Sequence, residues 1–323
     1  MDNVHPCGSA LVQSSTVLPW WCLSAGLLEH EMCHDLCVDV REARLTGTTI
    51  RPMLPADVAA AAEAVRRGDW GDREAFFSFA TGNPNCRPIL AERDREIVGT
   101  GVATVSGRVG WVGTIWVAPA VRRRGLGGAI TEAVIEQLEG SGCRTLVLVA
   151  TEAGRHVYER LGFEVLTHDH ALVASGPGTG RHRSASDRSV RRFAPPGDLD
   201  AAAELDRWAT GEDRRHILAT SDGWVVGGAP GEVTAFTLRS PFGGVATVAR
   251  DASDALRLFD LRRREAGPEG RVRAGVLDEN AAGLERLIAE GWTEVWSGPR
   301  MIRGEPLNWT PTGIWSQFNH ALG

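Results

Sequence analysis

The sequence predicts a mixed α/β fold, built twice in one chain, and three observations carry that prediction. The first is length, since 323 residues suffice for two domains of ordinary size, each able to bury its own core. The second is an internal repeat. "IRPMLPADVAAAAEA" from Ile50 parallels "VRRFAPPGDLDAAAELD" from Val190 apart from one inserted residue, and "ERLGFEV" at Glu159 matches "IAEGWTEV" at Ile288. Agreement at both ends of so long a unit indicates a duplicated domain rather than a solenoid. The third is the order of apolar runs and amphipathic stretches between Thr48 and Leu172, which reads as a meander followed by β-α-β-α-β.

The elements follow in order. Residues 1–47 show clustered Cys, His and Trp without a convincing period, and are expected to be a poorly ordered extension. His30, Cys33, His34 and Cys37 would share one helical face, but closing a tetrahedral site from two adjacent turns of one helix requires strain, so no metal site is expected. At Ile50 a short strand, a Pro-marked turn and an Asp lead into an Ala-rich helix. Arg87 to Arg93 and Ile97 to Val105 read as strands joined at Asp94 and Arg95, and a third strand runs from Gly110 to Ala118 after a turn at Gly107.

Leu126, Ile130, Val134 and Leu138 recur every four residues, which predicts a helix over Leu126 to Glu139, ended by Gly140 to Gly142. Leu146 to Ala150 is unbroken and apolar, as in a strand buried on both faces. Ala153 to Leu161 reads as a second helix, stopped at Gly162. Small and polar residues then mark a flexible linker over 173–188. The expected domains are 48–172 and 189–323.

Composition narrows the function classes. A formal charge of −6 argues against a nucleic-acid partner, and no apolar run is long enough to span a bilayer. All the positive side-chain charge is arginine; the chain has no lysine. Four of the six cysteines fall in the first forty residues, which leaves the globular part without a disulfide framework and points to a reducing cytoplasm. Thr16 to Leu28 is apolar but lacks a basic n-region and a clear cleavage site, so it is not read as a signal peptide.

The segment that carries chemistry is "IWVAPAVRRRGLGGAI", Ile115 to Ile130. A strand ends at Val117, Pro119 prevents its continuation, and Arg122-x-x-Gly125-x-Gly127 opens directly into a helix. Gly125 and Gly127 allow a tight turn and close approach of a ligand, so consecutive backbone N–H groups can converge on one anion. The positive end of the helix dipole points to the same place, and Arg122, Arg123 and Arg124 add donors suited to phosphate. No Gly-Lys-Ser/Thr follows and the glycine spacing is not that of a dinucleotide fingerprint, so this is neither a Walker loop nor a Rossmann turn.

With "VYERLGFEV" downstream at Val157 to Val165, these residues resemble the Gcn5-related N-acetyltransferase family over about 120 residues from Thr48. The resemblance implies tandem domains of that family's fold, acetyl-CoA as the acyl donor and a primary amine, of a small molecule, as the acceptor. It implies that Ile115, Trp116 and Val117 contact the acetyl-pantetheine arm through their backbone. Arg122, Arg123, Arg124, Gly125, Leu126 and Gly127 would hold the pyrophosphate, and Tyr158 would protonate the departing thiolate. Where many members carry an Asn seven positions before this tyrosine, this chain has Thr151, a hydroxyl in its place.

The general base stays open: Glu92, Asp72, Glu74, His168 and His170 are candidates, and a water chain is an alternative. In the second half Leu287 stands in place of Tyr158 and no glycine loop follows the central strand, which suggests a degenerate copy. Trp309, Trp315 and Phe318 read as core rather than pocket lining. Two rival readings of the whole chain remain, a non-catalytic acyl-CoA sensor or scaffold and an acetyltransferase of protein amines. The oligomeric state is not legible.

Overall fold

The computed structural model describes residues 47–177 and 189–322. The extension up to residue 46, with its His30, Cys33, His34 and Cys37 group, and linker residues 178–188 lie outside the described residues.

The first half runs β1 (Thr48–Pro52), α1 (Val58–Arg67), α2 (Glu74–Gly82), β2 (Cys86–Arg93), β3 (Glu96–Ser106), β4 (Val109–Val117), α3 (Leu126–Gly140), β5 (Thr145–Val149), α4 (Glu152–Arg160) and β6 (Glu164–Ser175). The second half repeats this order with β7 (Ser189–Arg192), α5 (Leu199–Thr210), α6 (Arg215–Leu218), β8 (Asp222–Gly227), β9 (Ala235–Arg239), β10 (Val245–Ala249), α7 (Ala252–Ala266), β11 (Arg271–Leu277), α8 (Ala281–Ala289) and β12 (Thr293–Gly304). A further strand, β13 (Ile314–Ser316), has no counterpart in the first half.

The repeat extends to side chains. Arg51 forks onto both oxygens of Asp57 at 2.7 and 2.9 Å, and Asp57 accepts the N–H of Leu54 at 2.8 Å, closing the turn before α1. Arg191 forks onto Asp198 in the same way, and Asp198 accepts the N–H of Ala194 at 2.9 Å before α5. The Arg191 guanidinium, with the backbone donors of Gly231 and Ala194, holds the Asp198 carboxyl down at about 2. Thr151 caps α4 and Asn280 caps α8, each accepting the N–H three residues on at 3.2 Å.

The sheet departs from a simple duplication. One eight-stranded sheet has the order β1-β2-β3-β4-β5-β12-β6-β11, and β7 to β10 form a second sheet with β13. The strand β12 of the second half therefore lies between β5 and β6 of the first, and β6 pairs with β11 of the second. The exchange is reciprocal. β5 is the apolar run "TLVLV", with its first four residues buried, and the edge facing away from β4 needs a full-length partner. β12 pairs that edge from Val149↔Arg300 to Thr145↔Gly304.

The cores follow the exchange. α3 seats on β2, β3 and β4 around Ile130, Val134 and Leu138, and it comes so close that a Cβ on Gly99 or Gly101 would lie 2.5 or 2.7 Å from Ile130. On the other face α1 and α2 share one apolar cluster with α5, α6, Ile314, Phe318 and Leu322. Beside the cluster that each half largely builds for itself, the two halves thus share a common one. Phe242, between β9 and β10, packs against Phe76 and Phe79 of α2 at ring distances of 5.7 and 4.7 Å.

Charge is buried where the halves meet. Arg300 of β12 and Asp169 of β6 are 1% and 3% exposed, and their side chains meet at 3.3 Å, with Gln317 bonded to both. The Arg300 guanidinium also lies over the rings of Trp111 and Trp309, at 5.0 and 5.5 Å. Beside it, Glu212 accepts the indole N–H of Trp111 at 2.9 Å, and Arg214 forks onto Asp206. Burial pushes the Glu212 carboxyl up to about 7, against the pull of Arg214 and Arg300. Cys86 and Cys143 are buried free thiols, and no described helix is long and apolar enough to cross a membrane.

Two stability predictions follow from this cluster. Arg300→Ala leaves Asp169 buried without its partner, and should lower the unfolding free energy by about 3–5 kcal/mol in denaturant titration. Glu212 ionises near its ordinary 4.5 when unfolded and near 7 when folded, so in that window the folded chain holds more protons. Stability should therefore fall as pH rises from about 4.5 to 7 and level off above. Glu212→Gln, which keeps an acceptor for Trp111, should flatten that slope in melting curves at pH 5, 6 and 7.

Candidate active site

The site is an opening in the first half's sheet. β4 and β5 are parallel and pair at only three positions, Val109↔Thr145, Gly110↔Leu146 and Trp111↔Val147. Past Trp111, β4 runs on to Val117 with that edge unpaired among the described residues. A bulge turns it there. Three steps along β4, from Gly113 to Trp116, face two along β3, and Thr114 takes a left-handed φ of 53°. The buried Thr100 hydroxyl donates to the Thr114 carbonyl at 3.0 Å and fixes the bulge.

The open edge leads into the glycine turn. Pro119–Val121 makes one 3-10 turn, Arg123 has φ 61° and Gly125 φ 86°, and α3 starts at Leu126 with no side chain capping it. An uncapped helix start leaves its first N–H groups directed at whatever lies in front of them. Arg122, Arg123, Arg124 and Gly125 are exposed around it, and the Arg122 Nε donates to the Val117 carbonyl at 2.9 Å, tying the turn to the strand end. Open strand edge, bare helix N-terminus and three arginines form one continuous surface. It suits an elongated ligand with an anionic end, and so fits the acyl-coenzyme A that the resemblance implies.

The side chains of the expected contact residues mostly point away from it. Leu126 is buried in the core, and Trp116 is 3% exposed with its indole against Gly68. Only the backbone of these residues is available, as the resemblance implies for the strand. Thr151 is exposed, and its hydroxyl oxygen serves the α4 cap. Tyr158 lies half-buried on α4, its ring over Gly154 one turn back and edge-on to Phe163 at 6.2 Å. Burial pushes its hydroxyl up to about 12, so it keeps its proton at neutral pH.

The five base candidates are engaged elsewhere. Glu92 pairs with Arg51 on β1, and Asp72 and Glu74 lie by Arg66. His168 and His170 face Asp278 and Glu294, on the side of β6 opposite Asp169. Sequence reasoning missed the 305–322 segment, which crosses to the first half. Ala321 covers Gly113 at the bulge, while Trp315 and Phe318 are core residues. In the second half the edge of β10 matching the open one of β4 is paired by β13, at Thr247↔Ser316 and Val248↔Ile314.

Comparison with known proteins gives a family match for part of the chain. Residues 57–163 match the acetyltransferase (GNAT) family. Two curated relatives, mycothiol acetyltransferases of Streptomyces coelicolor and Streptomyces avermitilis, are each 31% identical over 152 and 153 residues, or 42% of this chain. The chain spans about half the length of these relatives, 48% and 49%. Among solved structures, a Pyrococcus horikoshii protein described provisionally as an acetyltransferase aligns with a TM-score of 0.72 at 20% identity, covering 86% of this chain and 96% of that one. A tandem GNAT protein from the clavulanic acid biosynthesis pathway aligns with a TM-score of 0.55 at 13% identity, covering 80% and 99%. The family match thus covers residues 57–163, and the likeness to the solved structures extends the shared fold over most of the chain.

Proposed function

We propose that this protein transfers an acetyl group from acetyl-CoA to a primary amine of a small molecule. The observation that carries the reading is the continuity of the open β4 edge with the uncapped start of α3 and its three arginines. The Arg122 to Gly127 turn binds the pyrophosphate, and the backbone of Ile115, Trp116 and Val117 lines the acyl-pantetheine arm. Thr151, at the head of α4, borders it. A backbone N–H on the open edge polarises the thioester carbonyl, and the Tyr158 hydroxyl gives its proton to the leaving thiolate. The relatives' name, mycothiol acetyltransferase, favours a small-molecule acceptor over a protein amine. The second half binds no coenzyme in this reading, since its own β13 fills the matching gap.

Two experiments test it. Calorimetry should give one acetyl-CoA per chain, and Gly125→Asp should weaken that binding by roughly 30-fold or more, since ~2 kcal/mol is a modest cost for placing a carboxylate against phosphate. Gly125→Ala, strained at φ 86° but uncharged, should lose less. Unchanged affinity in a folded Asp variant removes the assignment. Tyr158→Phe should leave acetyl-CoA affinity intact and lower turnover by ~10²-fold, with a smaller loss for a donor carrying a more acidic thiol. Equal turnover in variant and wild type would make Tyr158 a packing residue only.

A further inference from the structure

The reaction proposed above needs a group that takes a proton from the amine, and this inference rests on that reading. Ile130, Val134 and Leu138 fill the α3 side of the sheet, so such a group must stand on the opposite face. On that face lie Trp111, Gly113, Val147 and Val149, together with the 305–322 segment. His320 sits there, and its place is fixed from two sides. On one, its neighbour Ala321 lies directly on Gly113, where an added Cβ would be 2.4 Å from the Ala321 Cβ. On the other, its ring packs on Trp296 at 5.1 Å. Trp296 in turn covers Gly298, where an added Cβ would meet the Trp296 ring at 2.3 Å and the Ala150 carbonyl at 3.1 Å. Gly113 belongs to the β4 lip of the opening and Ala150 ends the β5 lip. His320 is therefore joined to both lips, to β4 through its neighbour Ala321 and to the end of β5 through its ring partner Trp296.

Other titratable groups on this face are spent. Asp169 is held by Arg300 and Gln317, Arg300 lies over two tryptophans, and Glu212 is sealed against Trp111 with no route to solvent. His320 keeps solvent access, and no hydrogen bond to either ring nitrogen is found among the described residues.

We propose that His320 is the general base of the transfer. The amine loses its first proton to solvent and binds uncharged. As its nitrogen attacks, the C–N bond forms and the nitrogen becomes cationic; a His320 ring nitrogen takes that second proton. The C–S bond breaks, and the Tyr158 proton passes to the thiolate. The proton on His320 leaves to solvent while Tyr158 regains one, so the sum is amine plus thioester giving amide plus thiol. Packing of one side of the ring against Trp296 removes water there and holds the imidazole below its ordinary range, although the residue keeps an exposed side; Asp169 on β6 raises it, while Arg300 on β12 and Arg273 on β11 lower it. The ring is accordingly neutral and able to accept at pH 7.

The test follows release of free thiol from acetyl-CoA with a panel of primary amines, alongside calorimetry of acetyl-CoA binding. His320→Gln should bind acetyl-CoA like wild type and turn over ~10²-fold more slowly. The acid limb of the wild-type kcat–pH profile should vanish in the variant, and added imidazole should restore part of the rate of His320→Ala. These last two readouts would not respond to a packing role. Wild-type turnover and an unaltered profile in His320→Gln overturn the base and leave the transferase reading standing. Wild-type protein that binds acetyl-CoA yet releases no thiol with any amine overturns that reading and the base with it.

Discussion

Everything at the site depends on the pairing of β12 with β6. That pair closes the edges of β5 and β11 at once, so each half is completed by a strand of the other. Backbone hydrogen bonding demands a partner for the β5 edge that faces away from β4, and β12 supplies it over the whole strand. The exchange also dictates what is buried. It sets Asp169 beside Arg300, whose guanidinium lies over two indoles, where desolvating both charges offsets much of what their attraction contributes.

The same constraint makes the two halves unequal. Both have the turn built on an Arg–Asp fork, both cap their last helix in the same way, and both place a helix on the central strands. Only the first keeps a gap between its central strands. In the second that gap holds β13, and the chain beyond β13 crosses to cover the bulge of the first half. The second half acts as a wall for the first half's opening.

Much of this was legible in the sequence for plain reasons. Strand and helix periods between Arg87 and Leu161 are strong and local, and the observed elements match them within a residue or two, whereas α2, Glu74–Gly82, was not read from the sequence. The Arg122 to Gly127 turn was legible because backbone conformation there is set by glycine and by the helix that follows. The partner of β5 was not, because "TEVWSGPRMIRG" reads as a strand beside either half, and only the three-dimensional edge decides which. Nor was His320. A single imidazole near the chain's end has no spacing that ties it to Gly113, 207 positions earlier, and contact through a neighbouring alanine leaves no motif.

The arginine turn has a chemical corollary. Each of the 35 basic side chains is a guanidinium, including the three that ring the start of α3. A guanidinium stays protonated and is a poor nucleophile, whereas the ε-amine of lysine can lose its proton and attack an activated acyl group. An acyl-coenzyme A bound there as proposed would meet cations suited to its phosphates that offer no side-chain amine to modify, and self-acylation at lysine is impossible in a sequence without lysine.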